Sequence, residues 1–198
     1  MRLLFTLDVE GAGNLPRRGP YMIVANHVSD LDPFAVAASL PPASARAAYW
    51  GGEVVRLFSN ALGRTLCRAA HIFPVDERAP ASSLALAAAV LKRGNVLVWF
   101  PEAWRSPTGE LQHFLPGVGM LLSESKARVI PAIIEGTFEA MPRGRRIPRL
   151  RPVRVRFGQP LDPAALGVTE GAAPDYSGIA DSLRAAVAKL AASPQESA

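Results

Sequence analysis

A single cysteine, Cys67, stands in 198 residues, so no internal disulfide can form and the chain suits a reducing compartment. No uninterrupted apolar run approaches the ~20 residues that a membrane-spanning helix requires. The N-terminal run from Arg2 to Leu7 is broken by Asp8 and Glu10. It is too short and too acidic for a signal peptide, and a cytoplasmic location is the expectation. Three histidines and one cysteine are scattered without ligand spacing, so no metal is expected. There is no G-x-S-x-G elbow, no internal repeat and no linker long enough to separate two domains. What remains is one ordinary domain over residues 1–192, with 193–198 as a frayed tail. At 49% hydrophobic and 20% charged, it has the composition of a globular chain large enough to bury a proper core.

The apolar stretches alternate in period. Leu3 to Leu7, Tyr21 to Ala25, His71 to Val75, Val96 to Phe100, Val129 to Ile134 and Arg154 to Phe157 read as strands. Pro33 to Leu40, Glu53 to Leu62, Ser82 to Arg93, Val118 to Lys126 and Ser182 to Leu190 read as helices. Tyr49 and Trp50, just before the second of these, suit either a core or a lipid interface. The alternation predicts an α/β fold, a single domain with a mixed, largely parallel sheet flanked by helices. Three predicted strands run into polar loops holding His27 and Asp32, Asp76 and Arg78, and Glu102 and Arg105. If those strands are parallel, the loops share the carboxyl edge, where open α/β sheets bind their ligands.

The most informative stretch is Asn26-His27-Val28-Ser29-Asp30-Leu31-Asp32. A histidine oriented by a carboxylate is common equipment for taking a proton from a hydroxyl near neutral pH. A plainer reading stands beside it: Asp32-Pro33 also makes a good helix start, with Asp32 as N-cap and proline at the first helical position. Cys67 and His71 stand four apart, the spacing of a thiol nucleophile and its base, but a buried structural cysteine is the commoner arrangement. His113 reads as a loop histidine. Ser29 as a nucleophile would make a hydrolase, but lacks the elbow around it.

Charge is uneven. The formal net charge is +5, and Arg143, Arg145, Arg146, Arg149, Arg151, Arg154 and Arg156 lie together with no acidic residue between them. Without those seven the balance turns slightly acidic. The patch suits an anionic partner, either a membrane surface or a phosphorylated substrate. Nucleic acid is the poorer fit, because only Phe157 supplies an interleaved aromatic.

Taken together, four blocks resemble the glycerolipid acyltransferases of the lysophosphatidic-acid acyltransferase type. Asn26, His27 and Asp32 match the block N-H-x-x-x-x-D, with Ser29 at a position often filled by serine. Phe100-Pro101-Glu102-Ala103-Trp104-Arg105-Ser106 is similar to F-P-E-G-T-R-S, with Ala103-Trp104 replacing Gly-Thr. Phe73 to Arg78 resembles a strand ending in aspartate and arginine, with residue 77 inserted, and Val129 to Ile134 resembles V-I-P-V-A-I. The blocks follow in order over about Val9 to Pro160.

The resemblance implies an O-acyltransferase that needs no cofactor beyond its co-substrate, acyl-CoA or acyl carrier protein. The implied acceptor is a lysophospholipid, 1-acylglycerol-3-phosphate first, with a non-phosphorylated lipid as the alternative. His27 and Asp32 would be catalytic; Asn26, Ser29, Arg78, Glu102 and Arg105 would bind substrate. Glu102 would orient Arg105 or accept a hydrogen bond from the glycerol. The protein would sit peripherally on the inner face of the cell membrane. A non-catalytic lipid- or membrane-binding module is the rival from another class, and it would have little use for both His27 and Asp32.

Overall fold

The computed structural model describes residues 6–169 and 173–192. Seven strands form one sheet: β1 (Leu7–Glu10), β2 (Tyr21–Ala25), β3 (Ala48–Glu53), β4 (Ile72–Val75), β5 (Val96–Trp99), β6 (Arg128–Glu135) and β7 (Val153–Phe157), in the order β1-β7-β6-β2-β5-β3-β4. From β6 to β4 neighbouring strands are parallel, while β7 runs antiparallel to β6 and parallel to β1. The helices are α1 (Asp32–Ser39), α2 (Pro42–Ala47), α3 (Val54–Leu57), α4 (Ala61–Ala69), α5 (Pro80–Lys92), α6 (Gly117–Ser125), α7 (Thr137–Ala140) and α8 (Tyr176–Ala192). This is the mixed, largely parallel α/β sheet that the alternation predicts.

Two apolar layers explain why β2 is apolar throughout. Met22 and Val24 face one core with Leu91 of α5, Leu121 of α6 and Leu183 of α8. Tyr21, Ile23 and Ala25 face the other with Ala35 and Val36 of α1. A strand covered on both faces reads as a near-continuous apolar run. Each fully buried aliphatic side chain contributes roughly 1.5–3 kcal/mol, so the sheet is rigid where its central strands end.

Several elements differ from the sequence reading. The first strand expected at Leu3–Leu7 lies partly outside the described residues; β1 takes in Asp8 and Glu10. Their carboxylates are tolerated because the register sets Asp8 against Arg154 and Glu10 against Arg156. Arg154 Nε lies 2.8 Å from Asp8, and Arg156 Nε lies 2.7 Å from Glu10. Two of the seven arginines are therefore neutralised inside the sheet. Arg143, Arg145, Arg146, Arg149 and Arg151 stay exposed on the loop after α7.

The single amphipathic helix expected over Glu53–Leu62 is also revised. Glu53 ends β3, α3 is one turn, and α4 starts afresh with the Asn60 side chain accepting from Gly63 N at 2.7 Å. Gly51 and Gly52 lie in β3, a strand absent from the sequence reading. A Cβ at Gly51 would come within 2.8 Å of Val75 Cγ2, and one at Gly52 within 2.5 Å of Ile72 Cγ2. Close packing on β4, not chain reversal, requires them. Tyr49 and Trp50 consequently pack against the two cores. The expected tail at 193–198 lies outside the described residues.

Candidate active site

Strands β2, β5 and β6 are adjacent and parallel, so the loops that follow them meet at one edge. Asn26, the first residue beyond β2, locks its loop to β6. Its amide donates to Ile134 O (2.9 Å) and accepts from Ile134 N (2.8 Å). That commitment uses both ends of a buried side chain, so Asn26 sets the exit of the chain from the sheet.

The next residues form a tight polar nest. Asp32 is fully buried and is the first residue of α1, but its carboxylate turns back on the loop before it. Oδ2 accepts from Val28 N (2.6 Å) and Ser29 N (2.7 Å) and lies 2.9 Å from His27 Nδ1. Oδ1 accepts from the Thr137 hydroxyl at 2.6 Å. Asp32 thus binds the histidine loop rather than capping its helix. Charge-assisted bonds this short are the strong ones, and together they hold a buried carboxylate that would otherwise be costly.

His27 is held from three sides. Nδ1 faces Asp32, the ring stacks on Phe100 with centroids 4.5 Å apart, and its backbone N–H donates to Glu102 Oε1 at 2.9 Å. With Nδ1–H directed at the carboxylate, Nε2 carries the lone pair, and the side chain retains 19% exposure. An imidazole so oriented can accept a proton from a group approaching on its open side.

Glu102 does not orient Arg105. It is buried, with Oε1 on His27 N and Oε2 accepting from Gln112 N (3.2 Å) and Gln112 Nε2 (2.9 Å). Burial raises its pKa above the usual carboxylate value, while these donors act in the opposite direction. Glu102 clips the histidine loop to the loop after β5. The second loop is tied in turn to α8, because Arg184 donates to the carbonyls of Gln112 and Leu111. Ser106 N donates to His27 O at 2.8 Å, closing the same seam.

Arg105 instead pairs with Asp30, Nη1 to Oδ2 at 2.8 Å, both partly buried. Ser29 is buried and donates through Oγ to Met141 O (2.7 Å) while accepting from Leu31 N (3.2 Å). Arg78 is at the same edge, but behind β4, the outermost strand. At about 4.8 Å per strand, β4 stands about 14 Å from β2. Its side chain is exposed, and Asp76 is spent on the turn, accepting from Arg78 N. Of the three loops expected to converge, the first and third are joined. The turn after β6 joins them, bringing Thr137 to Asp32 and Met141 to Ser29.

Thr137, Gln112, Asp30 and Phe100 were not singled out as site residues by sequence. Thr137 follows a strand by two residues, as His27 does, and that shared position was the available signal. The Cys67–His71 pair is not assembled: Cys67 is buried with Sγ 3.7 Å from Leu57 O, whereas the His71 ring stacks on Tyr49. His113 is exposed, 3.7 Å from Asp181.

Residues 6–135 match the model of the family described as Acyltransferase. The 1-acyl-sn-glycerol-3-phosphate acyltransferase alpha of Mus musculus is 27% identical over 188 residues, covering 90% of this chain and 61% of that protein. The 1-acyl-sn-glycerol-3-phosphate acyltransferase of Limnanthes alba is 29% identical over 160 residues, covering 79% of this chain and 54% of that one. The chain therefore spans little more than half the length of these relatives. The crystal structure of the 1-acyl-sn-glycerophosphate (LPA) acyltransferase PlsC from Thermotoga maritima superimposes with a TM-score of 0.76 at 22% identity, covering 98% of this chain and 76% of that one. At that identity the likeness is one of fold.

Proposed function

Because the chain belongs to the acyltransferase family, we propose that it moves a fatty acyl group from a thioester, acyl-CoA or acyl carrier protein, to a lysophospholipid hydroxyl, 1-acylglycerol-3-phosphate in first place. The observation that carries this reading is the 2.9 Å contact between His27 Nδ1 and buried Asp32, which leaves Nε2 of a partly exposed side chain to take a proton. Nε2 takes the proton of the acceptor hydroxyl as its oxygen attacks the thioester carbonyl carbon. The tetrahedral intermediate collapses with cleavage of the C–S bond. The departing thiolate recovers the proton from the imidazolium, giving an ester and a free thiol. A thiol with pKa ~8.5 leaves far more readily than an alkoxide, and Asp32 stabilises the imidazolium while it exists. The test is a screen of purified protein with acyl-CoA or acyl carrier protein against lysophospholipid acceptors in vesicles, following free thiol. Thiol release that depends on acceptor supports the reading, and none with any pair removes it.

Arg105 is the proposed anchor for an acceptor phosphate. A guanidinium presents five N–H donors in a planar fork, and the Asp30 contact through Nη1 steadies its orientation. The same contact favours a second reading, an acceptor without phosphate, since Asp30 already supplies Arg105 with an anion. The two readings separate on Arg105→Ala. For a phosphate acceptor the KM should rise on the order of tenfold or more, the loss of one charged hydrogen bond of about 1.5–3 kcal/mol, with KM for the donor unchanged. An unchanged acceptor KM selects the second reading.

A lipid acceptor also calls for a lipid-facing rim. No helix among the described residues is long and apolar enough to cross a membrane. The exposed apolar side chains Val55, Trp104, Ile147 and Leu150 sit on segments that leave the carboxyl ends of β3, β5 and β6, and Ile147 and Leu150 stand among the five exposed arginines. The proposed partner is an anionic bilayer surface at the cytoplasmic face. Replacing Arg145, Arg146 and Arg149 by Gln should cut partitioning onto phosphatidylcholine–phosphatidylglycerol vesicles on the order of 10²-fold, at about 1 kcal/mol per charge. Pure phosphatidylcholine is the control. Equal sedimentation of variant and parent on anionic vesicles would remove this role.

A further inference from the structure

We infer that Thr137 is a positioning residue of the catalytic pair, the third member of a His27–Asp32–Thr137 relay, acting on the imidazole through the carboxylate. The inference rests on the proposed role of His27 as base. Its physical basis is how the donors divide between the two oxygens of Asp32. Val28 N, Ser29 N and His27 Nδ1 all meet Oδ2, at 2.6, 2.7 and 2.9 Å. Oδ1 meets the Thr137 hydroxyl at 2.6 Å, and both residues are fully buried.

A carboxylate held by one oxygen can swing about its Cβ–Cγ bond. A donor on the second oxygen fixes its plane, and with it the direction in which Nδ1–H must point. The hydroxyl also draws charge from the carboxylate, which tempers its hold on the imidazolium that must give its proton to the departing thiolate.

The fold places this hydroxyl with no adjustment required. Gly136 ends the strand run at φ 82°, where a Cβ would lie 2.0 Å from Pro152 O. The chain therefore reverses tightly, and Thr137 opens α7 within reach of Asp32. Its backbone carbonyl accepts from Met141 N at 2.8 Å, and Met141 O in turn takes the Ser29 hydroxyl. One short turn thus grips the histidine loop at two points, Asp32 and Ser29.

A merely structural threonine would cost stability without altering the chemistry, so the experiment compares Thr137→Val with Thr137→Ser. The expected result for Thr137→Val is a folded protein whose kcat falls on the order of 10²-fold, the effect of a small misplacement at a reacting group. KM for donor and acceptor should stay within about twofold, since Thr137 faces Asp32 rather than the open side. The acidic limb of the kcat/KM profile should move to higher pH, because a carboxylate relieved of a donor holds the imidazolium proton harder. Glu102, Arg184 and the Arg105–Asp30 pair at this seam, with Glu135 and Glu139 to either side of Thr137 along the chain, are common to both variants, so the difference reports the hydroxyl. Thr137→Ser keeps the donor and should recover kcat to within a few fold and restore the limb.

Wild-type kcat with an unmoved limb in Thr137→Val overturns the proposal. So does a Thr137→Ser variant as slow as the valine, which would assign the effect to the methyl group. Should the valine variant not fold, Thr137→Ala is read by the same criteria. His27→Ala run in parallel separates the two levels. If His27→Ala is inactive and Thr137→Val is not slowed, the relay alone fails; if His27→Ala turns over normally, the reading of the site fails first.

Discussion

His27→Ala should lower acceptor-dependent thiol release on the order of 10³-fold, within the range that a positioned general base supplies. The backbone around the site should change little. His27 N, which donates to Glu102, and His27 O, which accepts from Ser106 N, remain in the variant. The side chain is lost from a partly exposed position, so the unfolding midpoint should move by only a few degrees. The loss should fall on kcat, with donor and acceptor KM close to those of the parent, because the imidazole contributes in the transition state and not to ground-state binding. The measurement is steady-state kinetics with a free-thiol readout beside thermal unfolding. Retained turnover in a folded variant removes His27 from the mechanism.

Asp32→Asn should be as damaging to the chemistry and far more damaging to the fold. Every group around this carboxylate is a donor: His27 Nδ1–H, Val28 N–H, Ser29 N–H and the Thr137 hydroxyl. An amide has one accepting oxygen for them and must turn its NH2 toward some. With NH2 toward Oδ2's partners, it opposes two backbone N–H groups and drives the imidazole to the other tautomer, with its proton on Nε2. With NH2 toward Thr137, the hydroxyl can rotate to accept, but the negative charge that stabilises the imidazolium is still gone. A loss on the order of 10³–10⁴-fold in kcat is expected, as for other triads whose carboxylate becomes an amide. Leaving buried donors poorly paired costs about 1–3 kcal/mol each, so denaturant unfolding should show a lower midpoint with an unchanged slope. An Asp32→Asn protein with parental stability would show that these four contacts are not formed together.

The two predictions depend on different kinds of information. The pairing of His27 with Asp32 was readable from five places of separation on a strand-to-helix turn, because a local contact follows from local geometry. Asn26, Glu102 and Arg105 were readable as chemistry-bearing letters, but their partners were not. Asn26 meets Ile134, Glu102 meets His27 N and Gln112, and Arg105 meets Asp30. Each of these joins loops from different strands, a relation that no periodicity carries. β3 was not read as a strand for a related reason: a Cβ at Gly51 or Gly52 would meet Val75 or Ile72 of β4, a packing requirement that only the neighbouring strand reveals.

The sequence by itself determined the alternation of strand and helix, the apolar continuity of β2 and the histidine–carboxylate spacing, since these are properties of neighbours along the chain. Tertiary structure decided which strands lie side by side. By setting β6 next to β2 it brought Thr137 to Asp32 across 105 residues, and it set β4, the strand before Arg78, at the margin of the sheet. It also paired Arg154 and Arg156 with Asp8 and Glu10, leaving the exposed charge to five arginines on one loop. The physical reason is that a buried polar group must find partners wherever the packed backbone puts them. Strand order, which fixes those positions, depends on how whole faces cover one another.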